Sequence, residues 1–346
     1  MFLVTRILNK IFDIKRLRDF GVKSHKWGYK KGFTSQTLDV CGINNTNYKD
    51  FLTDRDYALG HPYNGSYSAI IDNKLWLPML LHSYEEYIPK YYFFKDKSGF
   101  LPLCSEVKSQ DVNRYDFVSF LNLLHKKRIL ALKHTCSSLG NGFLLVKEDK
   151  GHFYCNNVEC TEVELKDIIE RLSDYLVTEY VNQHSYSSSV NSSSLNTMRF
   201  LCVWDEDKKS FFLARVFHRF GFNGDVVDNL ASGNGVCYFV DPETGVIKSE
   251  GVINSNNSGD KYTSNPIHPN IGRSLAGFEI PRFQEVKNKV LEIVNSISFL
   301  KYIGLDIAIT EDSFKIIEIN SLSSLDFVQQ REGFLADPRI RKVLKK

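Results

Sequence analysis

Two short apolar segments near the C-terminus read as strands. Tyr302-Ile-Gly-Leu-Asp306 and Phe314-Lys-Ile-Ile-Glu318-Ile-Asn320 are rich in β-branched residues, and Glu311-Asp312-Ser313 supplies a turn between them. The pattern predicts a hairpin closing around Glu311-Asp312. Side chains alternate faces along a strand, so Glu318 and Asn320 point one way while Ile317 and Ile319 pack behind them. Asp306 can approach the same pair from the neighbouring strand. Further strands are expected at Arg128 to His134, Phe143 to Val146, Tyr175 to Val181, Met198 to Trp204 and Ser210 to Phe220. Helical spacing marks a segment beginning near Asp72, then 111–127, 161–174 and 281–297, the last through Phe283, Val286, Val290, Ile293 and Ile297. The serine-rich 185–194 and the asparagine-rich 251–270 cannot pack a core and read as loops. Two mostly antiparallel sheets flanked by helices make an α+β protein, with no internal repeat.

At 346 residues and 42% apolar content the chain can bury a sizeable core. A net charge of +3 singles out no nucleic acid partner. The distribution is uneven: nine of the 44 basic residues lie in 1–31, and beyond them 35 basic residues face 39 acidic ones. Phe2, Leu3, Ile7, Ile11 and Ile14 follow helical spacing among those basic residues. The segment reads either as a peripheral membrane contact or as a helix docked on the protein's own core with a solvated basic face. It is interrupted by charge too soon for a secretory signal, and no apolar run approaches a membrane span. Seven cysteines, odd in number and without zinc spacing, are expected to be reduced thiols in a cytoplasmic protein.

The candidate chemistry starts at the hairpin. Asp306, Glu318 and Asn320 form an all-oxygen set, which suits Mg²⁺ holding nucleotide phosphates. Lys133 ends a strand just before Ser137-Ser138-Leu-Gly140-Asn-Gly142, a turn whose backbone N–H groups can cradle phosphate, although an ordinary hairpin with a surface lysine looks the same. Glu179-Tyr-Val181 closes a strand where a carbonyl and an N–H could meet adenine, or is a plain strand exit. Arg199, Arg215 and Arg219 sit in strand segments, where a guanidinium needs an anion; substrate and structural salt bridge are both open. Asp228-Asn229 precede Ser232-Gly-Asn-Gly235, a loop able to approach a ligand or simply to turn the chain. No Ser/His/Asp or Cys/His nucleophilic set suggests itself.

In this order the pieces resemble the ATP-grasp superfamily, and more narrowly the sugar-transfer-associated ATP-grasp proteins of polysaccharide biosynthesis. The narrower likeness rests on Asn196-Thr-Met-Arg199, Val227-Asp-Asn229, Asp241-Pro-Glu-Thr-Gly245, His268-Pro269, Ile280-Pro281, Gly304-Leu-Asp306-Ile-Ala-Ile and Glu318-Ile-Asn320. It covers about residues 70–335. The resemblance implies two α+β lobes clamping ATP: a basic N-terminal extension at 1–65, an N-terminal lobe at 66–127, a lobe with the Gly-rich loop and hinge at 128–182, and a C-terminal lobe at 183–346. It assigns Lys133, Ser137, Ser138, Gly140, Gly142, Glu179, Val181 and Lys74 to ATP. Arg199 and Arg215 go to the γ-phosphate or the substrate carboxylate, Arg219, Asp228, Asn229 and Ser232 to substrate, and Asp306, Glu318 and Asn320 to Mg²⁺. Lys74 is the nearest candidate for a second phosphate lysine, although Pro78-Met79 occupies the usual place. Gln183, His184 and Tyr186 stand where a ribose-binding acid is expected. The last metal strand runs into Ser321-Leu322 without the common Pro-Gly.

The implied reaction is ATP-dependent ligation of a carboxylate to an amine through an acylphosphate, with a uronic acid and an amine as co-substrates. Loops 185–194 and 251–270 would be lids. A sugar kinase on the same fold and a non-catalytic scaffold for glycosyltransferases are the alternatives. Residues 1–31 would contact the inner membrane or those glycosyltransferases.

Overall fold

The computed structural model describes residues 26–34, 37–38, 41–60, 63–108, 114–137, 140, 142–222, 224–228, 235–248, 250–254, 262–323, 325–329 and 332–344. The basic stretch up to residue 25, Ser138, Asn229 and Ser232 lie outside the described residues.

Among the described residues, fourteen strands form two seven-stranded sheets in which every ladder is antiparallel. The first holds β1 (Tyr91–Asp96), β2 (Gly99–Pro102), β3 (Ile129–His134), β4 (Leu144–Asp149), β5 (His152–Cys155), β6 (Val158–Cys160) and β7 (Tyr175–Glu179), in the order β2-β1-β7-β3-β4-β5-β6. The second holds β8 (Met198–Asp205), β9 (Ser210–Gly221), β10 (Gly235–Val240), β11 (Gly251–Asn254), β12 (Tyr262–Asn265), β13 (Tyr302–Ile309) and β14 (Phe314–Asn320), in the order β12-β11-β10-β9-β8-β13-β14. The α+β expectation holds, and the hairpin at the end of the chain is β13–β14, closed by Thr310 N–H to Ser313 C=O at 2.9 Å.

Each sheet is covered by the helices that its apolar stripes demand. Phe117–Lys127 buries Phe117, Phe120, Leu123 and Leu124 against the first sheet. Glu162–Glu170, started by a Thr161/Glu164 capping box, adds Leu165 and Ile169. Phe283–Ser296 turns Phe283, Val286, Val290, Ile293 and Val294 onto one face of the second sheet. The opposite face, carrying Leu201, Val203, Ala214 and Phe217, is covered by the C-terminal segment through Leu325, Val328, Phe334 and Ile340.

Three local expectations change. The helix expected from Asp72 is instead a chain of short turns: Ser68–Ile71, Lys74–Trp76, Leu77–Leu80 and His82–Tyr87. Asn73 restarts the chain by accepting from Leu75 N–H at 3.0 Å, and Pro78 sits in the first turn of the third piece, so no long helix propagates. The serine-rich segment is not an unpacked loop. It opens with a short helix, Ser185–Ser188, and folds over Gln183, whose amide donates to the carbonyls of Asn191 at 3.0 Å and Ser194 at 2.8 Å. Gln183 Oε1 accepts from Asn196 N–H at 2.9 Å and from its side-chain amide at 3.0 Å. Ser187, Asn191, Ser194 and Asn196 are buried because their polar atoms satisfy one another. The 251–270 segment contains the β11–β12 hairpin, and its residues 255–261 lie outside the described residues.

Residues 26–60 pack Phe33, Leu38, Cys41, Ile43 and Phe51 into a small core of their own. They are tied to the C-terminal segment by Gln329, which bonds Leu52 N–H at 3.0 Å and Leu52 C=O at 2.9 Å. No helix among the described residues is long and apolar enough to cross a membrane.

Candidate active site

The register of the second sheet builds the site. Arg199 on β8 pairs with Asp306 on β13, and Asp306 pairs with Glu318 on β14, so all three side chains share one face. Arg219 on β9 lies two residues beyond Phe217, the cross-strand partner of Arg199, and reaches the same face. A row of charged side chains, two guanidinium groups followed by two carboxylates, therefore crosses four adjacent strands.

Asp306 is its centre. One carboxylate oxygen accepts from Arg199 Nε; the other accepts from Arg199 Nη2 at 3.0 Å and from Arg219 Nη2 at 2.8 Å. Burial works against ionisation there, but Arg199 and Arg219 hold the carboxyl well below the usual carboxylate range. Arg219 also donates to Thr197 Oγ1 at 2.5 Å, while its Nε, 3.7 Å from the Asp228 carboxylate, is buried with no hydrogen-bond partner among the described residues. Asp228 is fixed by Thr197, accepting from its N–H at 2.8 Å and its hydroxyl at 2.6 Å. Burial pushes the Asp228 carboxyl up, against the opposing pull of Arg219.

Lysines approach from the first sheet and the turns before it. Lys74 Nζ donates to the Ser137 carbonyl at 2.6 Å and lies 3.2 Å from Glu318, while its backbone N–H bonds Thr135 C=O at 2.9 Å. Two residues earlier, Asp72 accepts from Ser321 N–H at 2.7 Å and from its hydroxyl at 2.6 Å, fastening these turns to the end of β14. Lys133, at the end of β3, feels the charges of Glu318, Lys74 and Asp306; burial pushes its ammonium down to about 8. Gly140, at φ +72°, lies so close to Val227 that a Cβ would sit 3.2 Å from its side chain, and Gly142, at φ +73°, would meet the Tyr175 hydroxyl at 2.7 Å. The glycine turn thus lies against the segment leading to Asp228.

One expected residue, Arg215, is placed apart from this row. Arg215 faces the same side of the sheet as Arg219 but lies opposite Leu201, beneath the C-terminal segment. It donates to Val328 C=O at 3.0 Å and Ala214 C=O at 2.8 Å and stands over the Phe334 ring, outside the charged row. The Glu179 carboxylate accepts from Lys90 N–H at 3.0 Å, and Val181 is buried with Ala308 and Ile317, so their side chains serve the junction between the sheets. The carbonyl and N–H expected to meet adenine are backbone groups, which these side-chain contacts do not engage.

The oxygen set fits a hard cation in part. Glu318 and Asn320 are neighbours on one face, with Asn320 Nδ2 3.3 Å from Glu318 Oε1. Asp306 is already committed to two guanidinium groups. Among the described residues no group of three or more His, Cys, Asp or Glu side chains is assembled for a metal. The donors therefore suit an ion whose remaining oxygens come from phosphate.

Sequence reasoning missed Thr197, Asp72, Ser321, Ser323 and Tyr57. Thr197 lies inside the Asn196-Thr-Met-Arg199 motif, Ser321 opens the pair that stands in place of the expected Pro-Gly, and Ser323 follows that pair. Tyr57 offers no local signal.

No protein of curated function matches the chain. Among solved structures it is similar to the ATP-grasp ligase PsnB in complex with a minimal precursor, at 12% identity over 82% of this chain and 63% of that one, with a TM-score of 0.42. It is also similar to the VanG D-Ala:D-Ser ligase of Enterococcus faecalis, at 10% identity over 81% and 62% of the two chains, with a TM-score of 0.42. For the D-alanine–D-alanine ligase of Bacillus anthracis the values are 11%, 80%, 69% and 0.38. The chain spans less than two thirds of the length of PsnB. The sugar-transfer associated ATP-grasp family model matches residues 55–345, and the chain belongs to that family.

Proposed function

We propose that the protein is an ATP- and Mg²⁺-dependent carboxylate–amine ligase acting on a uronic-acid-type sugar in surface polysaccharide biosynthesis. The observation that carries the reading is the Arg219–Arg199–Asp306–Glu318 row on one sheet, faced by Lys74 and Lys133 from the other side. Family membership supports the ATP-dependent ligase class.

In this reading Lys133, Lys74 and the backbone of the Ser137–Gly142 turn hold the phosphates. Glu318 and Asn320 would hold Mg²⁺, which supplies charge neutralisation at those phosphates. Arg199 and Arg219, held in place by Asp306, stabilise charge on the γ-phosphoryl group as a substrate carboxylate attacks it. ADP leaves as the acylphosphate forms; an incoming amine then attacks the acyl carbon, the C–N bond forms as the C–O bond to phosphate breaks, free phosphate departs and the amine's proton goes to solvent. The unpartnered Nε of Arg219, next to Asp228, is the donor assigned to the carboxylate substrate. The chemistry requires no protein nucleophile.

The test is incubation with ATP, candidate uronic sugars and amines, followed by mass spectrometry. Amide, ADP and phosphate are expected together; a phosphorylated sugar without amide would replace the ligase by a kinase. Residues 1–31 are proposed to contact the inner face of the membrane, and liposome flotation with and without them tests this. If the full-length chain stays at the bottom of the gradient, the contact does not exist.

A further inference from the structure

The loop that follows β14 departs from the family pattern at Ser321-Leu-Ser323, and the structure shows what those serines do. The Tyr57 hydroxyl, from the helix Asp54–Gly60, donates to the carbonyl of Ser323 and accepts from Ser323 N–H at 3.0 Å. The backbone of Ser323 is thereby clamped at both of its polar groups by one side chain. The Ser323 hydroxyl in turn accepts from Arg199 Nη1 at 3.3 Å. Gly304 makes the approach feasible, because a Cβ there would lie 2.7 Å from Ser323 Oγ and 3.3 Å from Arg199 Cδ.

Arg199 is consequently fixed through all three of its nitrogens: Nε and Nη2 by Asp306 and Nη1 by Ser323. A guanidinium has five N–H donors in a planar fork. Three are engaged in these bonds, which leaves one on Nη1 and one on Nη2. The two bonds to Asp306 hold one edge of the fork, and the Ser323 bond restrains the Nη1 corner that Asp306 does not touch.

We propose that Tyr57 and Ser323 are positioning residues that set the plane of Arg199, so that its two remaining N–H groups meet the terminal phosphoryl group of the nucleotide. The inference rests on the proposed ATP reading, but neither residue touches nucleotide, metal or substrate in it. Tyr57 belongs to the segment before the N-terminal lobe, so that segment becomes part of the site.

The experiment is titration calorimetry of the full chain with Mg²⁺·AMPPNP and, separately, Mg²⁺·ADP, for the wild type, Tyr57→Phe, Ser323→Ala and Arg199→Gln. Loss of a hydrogen bond that aims a charged donor predicts about fivefold to tenfold weaker AMPPNP binding for Tyr57→Phe and Ser323→Ala. ADP, which lacks the terminal phosphoryl group, should bind each variant as it binds the wild type. Arg199→Gln should show the same selective loss, and adding Ser323→Ala to it should cost nothing more. A purely structural role would weaken both nucleotides alike or leave both unchanged, and either result overturns the inference. Ser323→Ala leaves the Tyr57 clamp intact, so it keeps the test valid if Tyr57→Phe folds poorly. A wild type that binds both nucleotides while the variants lose no selectivity defeats the inference alone. A wild type that binds neither defeats the ATP reading and the inference with it.

Discussion

Replacing Asp306 by Asn tests whether the charged row is a preorganised site or a set of surface ion pairs. The substitution preserves shape but removes the charge and turns one acceptor into a donor aimed at a guanidinium. Both oxygens of Asp306 are in use: Arg199 Nε on one, Arg199 Nη2 at 3.0 Å and Arg219 Nη2 at 2.8 Å on the other. Its side chain is only 6% exposed, against 16% for Arg199 and 21% for Arg219, so water cannot replace the lost charge. Removing one member of a buried pair costs about 3–5 kcal/mol, because the remaining charge is left uncompensated. Against a total stability of roughly 5–15 kcal/mol, that is a large fraction. Urea unfolding at neutral pH without nucleotide, followed by tryptophan fluorescence, measures it; Trp204 on β8 is buried and reports on this sheet. The carboxyl is held well below the usual range, so its contribution is complete above the ordinary unfolded value of about 3.9 and is lost only as pH falls through the lower folded value. The difference between wild type and Asp306→Asn should therefore be the same at pH 5 and pH 8 and shrink only in strong acid. A difference under about 1 kcal/mol at neutral pH, typical of exposed pairs, would refute the reasoning.

Lys133 gives a second pH signature, in alkali. Burial brings its ammonium down to about 8, so ATP binding should weaken as pH rises through that value, whereas Lys133→Arg, which stays charged, should show a flat profile. In the apo protein the folded state binds fewer protons than the unfolded chain between about 8 and 10.4, so stability should rise with pH across that window and Lys133→Met should abolish the rise. Lys74→Met frees Glu318 from an ammonium at 3.2 Å; nucleotide-free protein should then bind Mg²⁺ more tightly in calorimetry while ATP binds about tenfold more weakly. Arg215→Met should lower stability by about 1.5–3 kcal/mol through the lost bonds to Val328 and Ala214, yet leave nucleotide affinity unchanged. A loss of ATP binding in that variant would return Arg215 to the site.

Legibility in the sequence followed the range of the interactions. The shared face of Asp306, Glu318 and Asn320 on the β13–β14 hairpin could be read because a strand has a period of two and a short turn fixes its register, both local properties. Arg199 and Arg219 could be picked out because a charged residue inside an apolar strand demands a partner, but Arg215 satisfies the same test. What separates them is the C-terminal segment, which covers the face above Arg215 and stops short of Arg199 and Arg219. No periodicity in 325–344 announces where that segment will lie. The serine-rich stretch failed for a related reason. Composition says such residues cannot bury apolar surface, and they do not; they are buried by mutual hydrogen bonding around Gln183 and Asn196, a network that exists only once the chain has folded back.

The placement of the charges also argues for how the site divides its work. Arg199, Arg219, Asp306 and Glu318 stand on adjacent strands of one sheet, where β9, β8 and β13 are paired on both sides and β14, the edge strand, on one. Donors held in this way need no reorganisation when charge develops in front of them, which is the condition for electrostatic stabilisation of a transition state. Lys74 and Lys133 come from the other sheet and its preceding turns, and Lys74 is engaged by Glu318 and by the Ser137 carbonyl. A phosphate entering between the lobes would offer Lys74 a stronger acceptor than a backbone carbonyl, and a cation arriving with it would offer Glu318 a stronger partner than an ammonium. Nucleotide and metal therefore exchange one internal ion pair for two better ones, whereas either alone leaves a charge behind. That asymmetry makes their binding cooperative: Mg²⁺ should tighten ATP binding by a larger factor in the wild type than in Lys74→Met, and equal factors would show that the Lys74–Glu318 pair takes no part in the coupling.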